Sequence, residues 1–121
     1  MDSKKLALLC RELADHKKAE DIIVLDVRKT SSITDYFVIV TGTSEPHLRA
    51  ISSEILEQLS REHDVAPLGT DGSVAGGWVV MDFFDVIVHI MHRDMRNLYD
   101  LETLWGDAPR VKARAKAAAR A

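Results

Sequence analysis

Apolar residues recur along the chain first at helical and then at strand spacing. Leu6, Leu9, Cys10 and Leu13 fall on one face of a helix that Ser3 is placed to cap. Lys17, Lys18 and Glu20 end that pattern. Ile22 to Val27 and Asp35 to Thr41 are nearly continuous apolar runs, the second centred on Tyr36–Val40. Runs without polar alternation suit strands covered on both faces. The polar stretch Lys29–Thr34 between them reads as a loop. After Gly42, Thr43 or Ser44 can cap a second helix, with Pro46 tolerated in its first turn. Leu48, Ile51, Ile55 and Leu59 mark its buried face.

Pro67 to Gly77 contains four glycines and small polar residues. It is expected to be a flexible connection, with a short edge strand near Val65. Trp78–Met81 and Val86–Ile90 then predict two strands, joined as a hairpin with its tip at Asp82, Phe83, Phe84 and Asp85. Phenylalanine is a poor turn former, so either the tip is buried or an exposed aromatic pair has a partner. Arg93–Tyr99 predicts a short helix. Asp100 is placed to cap the segment carrying Leu101, Leu104 and Trp105, and Gly106 to end it. The Ala-rich end has helix propensity but no apolar face, and fraying is expected there. Helices interleaved with strands predict an α/β domain, one sheet covered by helices. Strand order stays open.

A length of 121 residues suits one domain. The net charge of -3 conceals an asymmetry: residues 106–121 carry five cations and one acid, so +4, which leaves -7 on the residues before them. An acidic body matches a basic protein partner and argues against wrapping nucleic acid over a broad face. The basic tail can touch RNA phosphates or serve solubility alone. Cys10 is the sole cysteine, so no intramolecular disulfide forms, and its place on the apolar stripe predicts a core residue. No apolar run approaches the ~20 residues that span a bilayer, nor is there a leader-like start, so a cytoplasmic, membrane-free protein is expected.

Candidate chemistry is thin. Asp82 and Asp85 could hold magnesium, but an offset of three puts them on opposite faces of an unbroken strand, and aspartates are common turn formers. Asp85 and His89 would share a face of a regular strand, with Ile87 between them, yet no nucleophile is placed beside them. His89 and His92 lack a third zinc ligand. Gly42–Thr43–Ser44 has one glycine and no phosphate-loop lysine. No catalytic residue, metal or cofactor is therefore assigned. Five of the seven Phe, Tyr and Trp residues, Trp78, Phe83, Phe84, Tyr99 and Trp105, follow the glycine-rich stretch. Such a concentration points to an interface anchor among Trp78, Tyr99 and Trp105.

From Leu6 to Pro109 the chain resembles the ribosomal silencing factors, the Iojap family. The resemblance is carried by Thr34–Asp35–Tyr36–Phe37–Val38–Ile39–Val40–Thr41–Gly42–Thr43–Ser44, by Gly77–Trp78–Val79–Val80–Met81–Asp82, by Asp85–Val86–Ile87–Val88–His89, and by Arg96, Tyr99–Asp100–Leu101–Glu102 and Leu104–Trp105. It implies a nucleotidyltransferase-like topology with a mixed sheet and flanking helices over residues 1–109, followed by a basic tail at 110–121. It also implies a non-enzymatic translational repressor, acting notably when nutrients run short. Such a factor binds the large ribosomal subunit at ribosomal protein uL14 and keeps the small subunit away. By the motif match, Trp78, Met81, His89, Tyr99 and Trp105 are expected nearest the contact, with Asp82, Asp85 and Glu102 on its charged rim. Asp35, Arg96 and Asp100 match too and can serve folding. Two competing readings remain at this level. One is a degenerate nucleotidyl- or phosphoryl-transfer enzyme using Asp82 and Asp85, with nucleotide near Ser44. The other is a homodimer paired through its aromatic patch.

Overall fold

A computed structural model describes residues 1–111. Its elements run α1 (Ser3–His16), β1 (Glu20–Asp26), β2 (Tyr36–Gly42), α2 (Glu45–His63), β3 (Gly69–Ser73), β4 (Trp78–Asp82), β5 (Val86–His92), α3 (Arg93–Tyr99) and α4 (Leu101–Leu104). The expected α2 forms as its pattern predicts. The Ser44 hydroxyl accepts the His47 N–H at 3.2 Å, and Leu48, Ile51, Ile55 and Leu59 are all fully buried. Asp64, in the left-handed region at φ 54°, ends the helix. In α1 the cap is Asp2, not Ser3: its carboxylate accepts the Lys5 N–H at 2.8 Å. A carboxylate there also meets the positive end of the helix dipole. Ser3 is instead the first helical residue, and its hydroxyl donates to Asp35 at 2.9 Å. Cys10 is buried, and desolvation pushes its thiol up to about 12.

The strands make one five-stranded sheet in the order β1-β2-β5-β4-β3. The central β2 and β5 pair in parallel, and every other neighbouring pair is antiparallel. A parallel pair needs a long crossover, and α2 with β3 and β4 supplies it. On one face α1 and α2 pack over Val38, Val40, Val79, Met81, Val86, Val88 and Ile90. On the other, a smaller core joins Leu25, Val27, Ile39, Met91 and Ala108 to Met95 and Leu101. The result is an α/β fold with a mixed sheet flanked by helices.

Several local expectations change. The glycine-rich connection contains β3, which lies at Gly69–Ser73 rather than near Val65. Every residue of β3 is exposed, so it carries no apolar signature; it forms because its backbone pairs with β4. Gly72, at φ 75°, passes so close to the Trp78 carbonyl that a Cβ would fall 2.0 Å from it. β1 begins at Glu20, ahead of Ile22, through an irregularity that puts Asp21 at φ 46°. The hairpin tip divides its phenylalanines: Phe83 is buried, while Phe84 is 65% exposed at φ 75°.

Beyond Pro109 the chain runs along β1. Arg110 bridges Leu25, the Asp26 N–H donates to the Pro109 carbonyl at 2.8 Å, and the Val111 N–H donates to the Val24 carbonyl at 2.8 Å. The rest of the basic, Ala-rich tail expected to fray or touch RNA lies outside the described residues. Among the described residues, no helix is long and apolar enough to cross a membrane.

Candidate partner-binding face

Strand alternation sends Ile87 and His89 of β5 away from α1 and α2, between the buried Val86, Val88 and Ile90. Register then brings Phe37 beside Ile87 and Val80 beside His89. Trp78 and Val80 leave β4 on this same side. Here the helical cover is short, since α3 and α4 hold only seven and four residues. Phe37, Ile87, His89, Val80, Trp78 and Trp105 consequently remain half-buried.

The rings form a continuous row. Trp105 lies 5.2 Å from Phe37, and Phe37 lies 5.5 Å from His89. His89 is 5.9 Å from Trp78, which is 5.0 Å from Tyr99, all between ring centroids. Such separations and tilts are the favourable ones for aromatic pairs. The row ends in solvent, with Tyr99 53% exposed; Leu98 and Leu104 on the same short helices are each 72% exposed.

His89 is fixed within the row. The Trp78 indole Nε1 donates to its Nδ1 at 3.1 Å. Burial depresses its basicity to about 4, so the imidazole is neutral near pH 7. The Asp85–His89 pair considered from spacing does not form on one strand, because β5 begins only at Val86. Asp85 belongs to the hairpin tip, where its backbone carbonyl accepts the N–H groups of Asp35 and Tyr36 at 2.9 and 3.1 Å. The Asp82 carboxylate accepts the Phe84 N–H at 2.8 Å, the work of a turn former. Both carboxylates are exposed. His92 caps α3, its Nδ1 accepting the Asp94 N–H at 3.2 Å. The Gly42–Thr43–Ser44 turn serves α2: Ser44 caps it, and a Cβ on Gly42 would press on Leu48 at 2.7 Å. Among the described residues, no three of the His, Cys, Asp and Glu side chains are grouped to hold a metal ion.

Two expected contact residues stand elsewhere. Met81 is fully buried among the helix-side residues, on the face opposite the aromatic row. Glu102 is partly buried and accepts from Arg96 Nε at 2.8 Å. Arg96 is itself buried and donates through Nη1 to Thr41 Oγ1 at 2.7 Å, so this pair ties α3 to α4 and to the sheet. Conversely, Phe37, Ile87 and Val80 belong to the face but were not among the expected contact residues. The available signal was alternation: each lies an even number of positions from a strand neighbour on that face.

All 121 residues match the family described as "Ribosomal silencing factor during starvation". The chain belongs to the ribosomal silencing factor family. Within it, the Bacillus subtilis ribosomal silencing factor is 39% identical over 109 residues, covering 90% of this chain and 92% of that protein. The mouse protein named "Mitochondrial assembly of ribosomal large subunit protein 1" is 33% identical over 95 residues, 77% of this chain and 42% of its own length. The crystal structure of a Chromobacterium violaceum protein superposes with a TM-score of 0.82 at 33% identity, covering 88% of each chain. One from Bacillus halodurans gives a TM-score of 0.76 at 34% identity, with 90% of this chain and 98% of that one covered. Ribosomal silencing factors are non-catalytic regulators, and the neutral, indole-bound His89 fits a binding surface rather than an acid–base centre.

Proposed function

We propose that the chain represses translation by docking its aromatic face on ribosomal protein uL14 of the large subunit, where its bulk excludes the small subunit. The observation that carries this reading is the row Trp105–Phe37–His89–Trp78–Tyr99, which α3 and α4 leave half open. Interfaces gain most of their affinity from a few such aromatic anchors inside a polar rim. Exposed Asp82 and Asp85 supply acidic charge at the end of the sheet. The acidic body matches a basic ribosomal protein, and charge matching speeds encounter and fixes orientation. Steric exclusion then requires no chemistry, because two bodies cannot occupy one surface. The mixed sheet serves this reading as a scaffold, and Asp82 is engaged in the hairpin turn rather than in transfer chemistry. Self-pairing through the same face and phosphate contact by the basic tail are compatible additions.

Sucrose-gradient sedimentation with separated subunits tests the proposal. The chain is expected to travel with the large subunit and to lower the joined-ribosome peak when added before mixing. Free protein at the top of the gradient, with joining unchanged at excess, would sink it.

A further inference from the structure

Away from the aromatic row, the start of β1, the end of β2 and the two short helices enclose a polar pocket of about 480 Å³. That volume is within the range of small-molecule sites. Arg96 lines it and is only 7% exposed. Its hydrogen bonds to Thr41 and Glu102 use two donors. A guanidinium has five N–H donors, so the others lack a protein acceptor among the described residues. Those remaining N–H groups open onto the pocket, and the guanidinium fork suits an incoming carboxylate. Arg110 also lines the pocket, and its side chain has no partner among the described residues.

The rest of the lining restricts what that anion can be. Arg93 is already engaged by Glu20 at 2.6 Å. Asp21, Asp100 and Glu102 line the same space. Arginines and carboxylates thus balance within the pocket, and two of the arginines are bound to acids. A phosphate or polyphosphate would meet like charge on several sides, and a lone carboxylate would bring negative charge beside Asp21 and Asp100 with nothing to offset it. A molecule with an anionic and a cationic end satisfies both.

We propose that this pocket binds an α-amino-acid-like zwitterion, its carboxylate on the free donors of Arg96 and its ammonium toward Asp21 and Asp100. The test is a ¹H–¹⁵N NMR titration of the full chain with each standard amino acid in turn, to about 10 mM, weak binding being in the millimolar range. Inorganic phosphate and pyrophosphate are run alongside. At least one amino acid is expected to give saturable shifts at the amides of Asp21, Thr41 and Asn97. Asp21→Asn, at an exposed rim position, is expected to weaken that binding about tenfold or more, and Arg96→Lys to abolish it. Should Arg96→Lys fail to fold, Asp21→Asn decides alone. The proposal is overturned if no amino acid saturates, if Asp21→Asn binds as tightly as the parent, or if either phosphate probe binds as tightly as the best amino acid.

Discussion

The indole N–H of Trp78 on β4 donates to Nδ1 of His89 on β5 at 3.1 Å, a bond that requires the imidazole to be unprotonated at that nitrogen. Folding thereby holds His89 in its neutral form. Because burial lowers its pKa from 6.5 to about 4, the unfolded chain binds more protons than the folded one between those values. The stabilisation is complete above pH 6.5 and is lost as pH falls through 4. It amounts to at most about 3 kcal/mol. In urea titrations at stepped pH, His89→Gln, whose amide oxygen can still accept the indole N–H, is expected to lose less stability than the parent across this window. Parallel curves for the two proteins would show that His89 does not titrate on folding.

Met81 and Tyr99 should part company when each is cut back. Met81→Ala opens a hole in the helix-side core, where the side chain is fully buried, and is expected to cost about 2–5 kcal/mol of stability. At a temperature where it remains folded, its hold on the large subunit should match the parent's. Chemical denaturation and gradient cosedimentation measure the two quantities separately.

Tyr99→Ala should do the reverse. It removes a half-exposed ring whose packing within the protein includes Trp78 at 5.0 Å, so the stability loss is expected to stay near 1 kcal/mol. Binding to the large subunit should weaken by about 2 kcal/mol or more, roughly 30-fold. A folded Tyr99→Ala protein that cosediments like the parent would exclude Tyr99 as an anchor.

The cap of α2 gives a third contrast. Ser44→Ala deletes the acceptor for the His47 N–H and is expected to lower stability by about 1 kcal/mol. Gly72→Ala should cost more than about 1 kcal/mol, since a side chain there meets both a left-handed backbone and the Trp78 carbonyl. Thermal unfolding of both variants checks the direction and the ranking.

The parts that could be read from sequence were those set by local periodicity. The four-residue stripe of α2 and the continuous apolar runs of β2 and β5 each report burial within a single element. β3 was hidden because Gly69–Ser73 gains its order from a neighbouring backbone, not from its own side chains. Phe37 carries no local sign of a contact residue, because its place beside Ile87 depends on a parallel register between distant segments. The family motif sets Met81 near the contact, whereas strand geometry sets it in the helix-side core. The offset of three that separates Asp82 from Asp85 on an unbroken strand also separates Trp78 from Met81, and it would have put the methionine on the far face.

The short backbone pairing of Pro109–Val111 with Val24–Asp26 covers the last three residues of the β1 border of the sheet. The first half of β1 and the opposite border, β3, keep outward peptide groups without a strand partner among the described residues. Strand addition is thereby confined to the first half of β1 and to β3, whose five residues carry no apolar side chain to hold an added strand.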